Sequence, residues 1–307
     1  MRAVVIANPI AGPGRGRLSG EEAGRMLAEH GVDARVVRTE GPRDATRLAR
    51  EAAGVADVVV AVGGDGTVHE VACGLLGTGC PMGVFPSGSG NDLAIGLGIR
   101  TPADGLASVL EGSGVEIDGC RLNDDFFFNS VGLLGSGEVS GRAAGMWRWL
   151  GRRRYALAGA LVVACYPGQR LQWSMPGGSG PAVIDDLFML VEVCNGPLTG
   201  GGFRFAPDAD FSDGLLDACL VRKMGVWTGL RLLPSASRGQ RLKHPAVSLI
   251  RSGELQFTCF EPVAYHRDGE PGRLPAGTHV LRVLDEKLIV RRPLRHDNPA
   301  APVAAAR

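Results

Sequence analysis

The chain carries almost no net charge: 33 Lys and Arg stand against 32 Asp and Glu, a formal +1 over 307 residues. That leaves no broad basic face for nucleic acid, so this class of partner is set aside. Paired cysteines are missing too. The seven are an odd number, at 73, 80, 120, 165, 194, 219 and 259, and no two have CxxC spacing. They read as small core residues in a reducing compartment, not as disulfides or a metal cage. Long apolar runs are equally scarce. The longest, Ala156–Tyr166, is about half the ~20 residues that span a bilayer. Near the start, Ala3–Ala7 is shorter than the apolar core of a signal peptide and leads into Asn8-Pro9, a strand entering a turn. The expectation is a cytoplasmic protein whose membrane contact is peripheral.

Several familiar motifs are absent as well. There is no GxxxxGK[ST] for a P-loop, and Arg17 occupies the place where a dinucleotide fingerprint starting at Gly12 needs a small residue. No GxSxG surrounds Ser87, Ser89 or Ser136. HExxH does not occur, and the six histidines are dispersed, as surface or structural residues are.

The first third alternates short apolar strands with helical patterns. Strands read at Ala3–Ala7, Ala34–Arg38, Val58–Val62 and Met82–Phe85, and helices at Glu21–His30, Arg43–Ala53 and from Asn91. Val68, Val71, Ala72, Leu75 and Leu76 have helical spacing. This pattern predicts an α/β fold whose N-terminal part is a doubly wound parallel sheet. After about residue 115 the texture changes to strands between Gly, Pro and Asp turns, at Val115–Asp118, Phe126–Val131, Arg170–Trp173, Leu187–Cys194, Leu215–Val221, Leu255–Phe260 and His279–Leu284. One helix interrupts them between Arg142 and Cys165. The second part is therefore expected to be a mainly antiparallel sandwich. The expected division is 1–118 for the nucleotide-binding part, with 285–293 returning to it, 119–284 for the substrate part, and 294–307 as a disordered tail.

Two loops carry the chemistry. A buried strand leads through Gly63-Gly64-Asp65-Gly66-Thr67 into a helix, and Pro86-Ser87-Gly88-Ser89-Gly90-Asn91-Asp92 repeats the arrangement. Glycines let backbone N–H groups approach an anion, and a helix N-terminus favours negative charge. A carboxylate in such a loop repels phosphate, which a magnesium ion between them resolves. Loops at the carboxyl ends of parallel strands lie side by side, so the pair points to a nucleotide and a metal. Asn8–Gly16 supplies a third loop. On the residues alone, Asp213 and Asp217 around Gly214 shape a turn or hold a metal, and Asp268-Gly269 reads as a type I′ hairpin turn.

Taken together, Asn8-Pro9, Gly63–Thr67 and Gly88-Ser89-Gly90-Asn91-Asp92 resemble the diacylglycerol kinase and sphingosine kinase family, above all its soluble bacterial members. The resemblance continues through Asn195-Gly196, Gly200–Phe203, Ala206–Ala209, Asp213–Asp217 and Asp268-Gly269-Glu270, in order over roughly residues 3–291. It implies an ATP-dependent lipid kinase, with two domains like those of NAD kinase and phosphofructokinase and the active site between them. ATP would be contacted by Asn8, Thr39, Gly63, Gly64, Asp65, Gly66, Thr67, Glu70, Ser89 and Asn91. Asp65, Asp92 and Asp118 would organise a catalytic Mg2+, and Asp210, Asp213 and Leu215 a structural one. Glu270, with Asp268 beside it, would be the general base. Two departures stand out: Ser89 replaces the usual threonine, and Gly135-Ser136 aligns where bacterial relatives carry Phe-Asp.

The Arg142–Cys165 stretch joins Trp147, Trp149 and Tyr155 to Arg142, Arg148, Arg152, Arg153 and Arg154 without an acid. It reads as a helix for an anionic membrane surface, or as one packed on the sheet with solvated arginines. The expected partner is a lipid substrate; the oligomeric state stays open, with a homodimer as one option. The shared Gly-rich loop keeps a soluble-substrate kinase, such as NAD kinase, as one alternative. A non-catalytic nucleotide-binding regulator is the other.

Overall fold

The computed structural model describes residues 1–9, 18–145, 153–176 and 183–294. β1 (Arg2–Ala7), β2 (Asp33–Arg38), β3 (Val58–Gly63) and β4 (Met82–Pro86) alternate with α1 (Gly20–Glu29), α2 (Asp44–Ala53) and α3 (Asp65–Leu75). The strands pair in parallel in the order β2-β1-β3-β4. Side chains alternate along a strand, so each strand feeds two cores. Val58, Val60 and Val62 of β3 pack with Ala23 and Leu27 of α1. Val59 and Ala61 turn the other way, onto Ala45, Ala49, Val71 and Leu75 of α2 and α3. Buried on both faces, β3 can be apolar throughout, as its sequence is.

α4 (Asp92–Gly96) and α5 (Pro102–Glu111) lead into β5 (Ser113–Leu122), β6 (Asp125–Phe127) and β7 (Ser130–Leu134). Next come α6 (Gly135–Gly145), α7 (Arg153–Cys165), β8 (Gln169–Ser174), β9 (Ile184–Cys194), β10 (Leu216–Arg222) and α8 (Val226–Ser237). β11 (Val247–Ser252), β12 (Glu254–Cys259), β13 (Val263–Arg267), β14 (Glu270–Leu274) and β15 (Gly277–Arg292) complete the chain. The pairings from β7 through β14 are antiparallel and enclose a core of Trp173, Phe127, Phe188 and Phe257.

β15 joins the two halves. Its first part pairs with β12, and its last part reaches β4 in parallel through Val290 and Met82. β5 follows it antiparallel along most of its length, with an irregularity between Val283 and Lys287. At that irregularity Lys287 faces Asp118 across the pair, and their side chains form an ion pair.

Of the helix expected over Arg142–Cys165, the described residues show the last turn of α6 and the whole of α7. α6 starts earlier, at Gly135, and α7 opens at Arg153. Trp147, Arg148, Trp149 and Arg152 lie outside the described residues, as do the side chains of Arg153, Arg154 and Tyr155, the loop residues Ile10–Arg17 and the tail from Arg295. Among the described residues, no helix is long and apolar enough to cross a membrane.

Candidate active site

The two Gly-rich loops touch backbone to backbone. A Cβ built on Gly88 would lie 2.5 Å from the Cα of Gly64, so neither position has room for a side chain. Gly64 caps the N-terminus of α3, which opens with Asp65. The Asp65 carboxylate crosses to the second loop, accepting from the N–H of Asn91 and the N–H of Asp92 at 2.8 Å each. Asn91, with φ of 59°, closes its own turn: its side chain accepts from Gly88 N and donates to Gly88 O. Asp65 thus fixes one loop against the other. Burial, and the charge of Asp268 nearby, raise its pKa above the usual carboxylate range despite these donors.

Beside the loops, at the carboxyl ends of β1 and β3, a crevice is lined by Asn8, Ser19, Glu21, Arg38, Gly63 and Ser87. Thr39 is buried at the end of β2, its N–H donating to Ala7 O. Thr67 is buried in α3 and Ser89 half-buried in the second loop. Glu70 looks elsewhere: its carboxylate accepts from Ala45 N at 3.2 Å, at the start of α2.

The β13–β14 turn comes over the start of α3. Asp268 and Gly269 have φ of 48° and 88°, and Arg267 pairs with Glu270, the two-residue hairpin expected from the sequence. The two acids differ sharply. Asp268 accepts from Asn129 N and Ser130 N on one oxygen, and from Phe128 N and His69 Nδ1 on the other, at 2.8–3.0 Å. These partners, His69 foremost, outweigh burial and hold it below the usual carboxylate range. Burial works against the charge on His69, yet Asp268 pushes its pKa up to about 10. The Glu270 side chain is exposed, and its carboxylate has no hydrogen bond or ion pair among the described residues. Its Oε1 lies 3.0 Å from where a Cβ on Gly66 would stand, so it faces the Gly-rich turn.

From here a cavity runs into the second half. At one end it is lined by Asp65, His69, Asp92 and Asp268. The same cavity has apolar walls, among them Leu93, Val139, Val162, Met189, Phe203 and Phe205. A buried polar group also meets this cavity, through Ser136, Thr199 and His266. Ser136 Oγ donates to Glu192 at 2.5 Å, Thr199 Oγ1 donates to it at 2.6 Å, and His266 Nε2 is 3.3 Å from it. Gly132 leaves the space they fill, since a Cβ there would stand 2.2 Å from His266 Nε2. His266 and the two hydroxyls hold Glu192 ionised despite its burial. Ser136, noted in the sequence as a departure from the resemblance, thus sits against a buried acid, Glu192.

The remaining acids are placed apart. Asp118 is fully buried, takes Lys287 on one oxygen and Gly214 N on the other, and does not line the cavity with Asp65 and Asp92. Asp92 accepts from Gly201 N at 2.8 Å. Asp210 accepts from Ser212 N and Oγ, and Asp213 from Leu215 N while pairing with Arg251. Among the described residues no three His, Cys, Asp or Glu side chains gather as a metal cage. His69, Glu192, His266 and Lys287 were not singled out in the sequence. Two signals stood there: His69 follows Asp65 by one helical turn, and Glu192 is the acid inside an otherwise apolar run from Leu187 to Cys194.

Residues 2–122 match the family model described as the diacylglycerol kinase catalytic domain. Residues 130–288 match that of the YegS C-terminal NAD kinase beta sandwich-like domain. A protein of Chromohalobacter salexigens named "Probable lipid kinase YegS-like" is 34% identical over 260 residues, 82% of this chain and 81% of its own. The chain belongs to the diacylglycerol kinase and YegS-like lipid kinase family. The chain is also 29% identical to a diacylglycerol kinase of Mycobacterium tuberculosis strain H37Rv, over 92% of the chain and 95% of that protein. Its fold matches the crystal structure of a Bacillus anthracis diacylglycerol kinase with a TM-score of 0.71 at 20% identity, each chain 97% covered. An NAD kinase of Archaeoglobus fulgidus in complex with ATP shares the fold more loosely, with a TM-score of 0.52 at 13% identity over 95% of this chain and 94% of that one.

Proposed function

We propose that this kinase transfers the γ-phosphate of ATP to the hydroxyl of a diacylglycerol-like lipid at a membrane surface. One observation carries the choice of acceptor: the cavity that begins at Asp65, Asp92 and Asp268 continues between apolar walls. Such walls suit acyl chains. They offer a dinucleotide little to bind, which sets NAD kinase activity behind lipid phosphorylation.

ATP lies across the crevice at Asn8, Thr39 and Gly63–Thr67, with the backbone of the two loops approaching its phosphates. Asp65 and Asp92 fit a magnesium ion, since both present hard oxygens on one cavity wall, where burial, and the charge of Asp268 after it, raise the pKa of Asp65. A bound magnesium would neutralise phosphate charge. Asp118 does not fit that role, because Lys287 already balances it. Asp210 and Asp213 shape their turn. Glu270, unoccupied and facing the α3 N-terminus, accepts the hydroxyl proton of the lipid. Asp268 holds the turn that presents it. A base poised in this way also argues against a non-catalytic regulator.

The test is product analysis. ATP is incubated with diacylglycerol, a sphingoid base, phosphatidylglycerol or NAD, and the phosphorylated product is identified by mass spectrometry. A phosphorylated lipid supports the proposal, and NADP as the product replaces it with the soluble-substrate reading. A second expectation concerns the loops. Gly88→Ala forces the two backbones apart and lowers kcat/KM for ATP by about 100-fold, as a displacement near 1 Å does. Unchanged steady-state kinetics would remove the loops from the nucleotide site.

A further inference from the structure

α7 and α8 pack on each other, close enough that a Cβ on Gly229 would lie 2.6 Å from Val163 Cγ1. Their inner faces, with Gly159, Val162, Val163 and Leu233, form a wall of the acceptor cavity. Their outer faces are apolar and uncovered. Leu157 and Leu161, one turn apart on α7, are 52% and 42% exposed, and Trp227 in the first turn of α8 is 77% exposed. A tryptophan in water on a helix that also walls a ligand cavity has no role in the fold's own core.

The charge around it is one-sided. From Ala218 to Gly253 there is no Asp or Glu, while Arg222, Lys223, Arg231, Arg238, Arg241, Lys243 and Arg251 all fall in this stretch. Arg222, Arg241 and Arg251 are tied to acids elsewhere. Arg231, Arg238 and Lys243 are exposed and form no ion pair with the described residues. Exposed apolar side chains beside unpaired cations match an anionic bilayer, where indole sits at headgroup level and basic residues meet lipid phosphates.

We infer that the outer face of α7 and α8, anchored by Trp227, is the surface that docks this protein on an anionic lipid membrane, placing the apolar cavity behind it within reach of the lipid acceptor. This rests on the lipid kinase reading for its purpose, though the surface is testable without turnover. It shares α7 with the Arg142–Cys165 stretch that the sequence brings forward and adds α8, while Trp147 and Trp149 of that stretch lie outside the described residues.

The full chain is sedimented with vesicles of phosphatidylcholine plus phosphatidylglycerol and with phosphatidylcholine alone. In parallel, turnover is measured on a short-chain diacylglycerol below its micelle concentration. Trp227→Glu should weaken partition onto the anionic vesicles by at least about tenfold, with Trp227→Phe close to wild type. Turnover of the monomeric acceptor should be the same in all three. A second variant, Arg231→Glu with Arg238→Glu, should lose the preference for anionic over neutral vesicles. The inference is overturned if wild type stays in solution, or if Trp227→Glu binds vesicles like wild type. It is equally overturned if wild type is a dimer that Trp227→Glu splits without altering vesicle partition. Absent turnover of the monomeric acceptor by wild type would instead strike the kinase reading, whatever the vesicles show.

Discussion

Glu270→Gln lowers kcat by about 10²–10⁴-fold, the range expected on removing a general base, and leaves the KM for ATP and the melting temperature unchanged. The reasoning is geometric. Glu270 is exposed, unpartnered among the described residues, and set against Gly66 at the start of α3. Nothing in the fold depends on its carboxylate, so its loss removes a proton acceptor and little else. Steady-state kinetics beside a thermal melt checks both halves. A variant that keeps wild-type kcat would pass the role of base to another group.

Asp268→Ala has the opposite signature: it destabilises the protein by about 3–5 kcal/mol, the cost of leaving a buried ion pair without one partner. The side chain is 8% exposed, and its removal strands His69 and the N–H groups of Phe128, Asn129 and Ser130. Denaturant unfolding measures this. A loss below about 1 kcal/mol, the scale of a surface pair, would mean that these donors find other acceptors.

The same pair sets a pH dependence. The pKa of His69 is raised from 6.5 to about 10 in the folded state. Its contribution is thus complete below pH 6.5 and fades as pH climbs from there toward 10. Asp268 is depressed, so its contribution is present above the ordinary carboxylate range and fades as pH falls through its lowered value. Stability from the pair is therefore greatest between those limits. His69→Gln should flatten the alkaline limb of the melting curve against pH, and an alkaline limb identical to wild type would contradict the assignment.

The N-terminal half was legible because its signals are local. Strand, Gly63–Thr67 and helix follow one another in sequence, and β3 is apolar from end to end because both its faces are covered. β15 was harder to see, because Asp285, Glu286 and Lys287 break its apolar run where it passes between the two halves. α5 was missed although Thr101 and Asp104 form a capping box with Pro102 between them. α8 was missed too, with Gly229 and Pro234 inside it lowering its helical signal.

The site divides in the same way. Asp65 and Asp92 announce themselves through their loops, and Asp268-Gly269 through its hairpin. The Ser136, Glu192, Thr199 and His266 group is assembled from α6, β9, a loop and β13, across a row set by Gly132. Only strand order brings those residues together, and no local spacing encodes it. The difference between Asp268 and Glu270 is likewise one of burial, which a three-residue motif does not record.

The central claim is phosphoryl transfer to a lipid hydroxyl with Glu270 as base. The direct measurement is the initial rate of labelled γ-phosphate transfer from ATP to diacylglycerol in mixed micelles, for wild type and Glu270→Gln. Labelled lipid from wild type, with the rate in the variant lower by about 100-fold or more, is the expected result. Labelled NADP in place of labelled lipid, or equal rates in the two proteins, would contradict it.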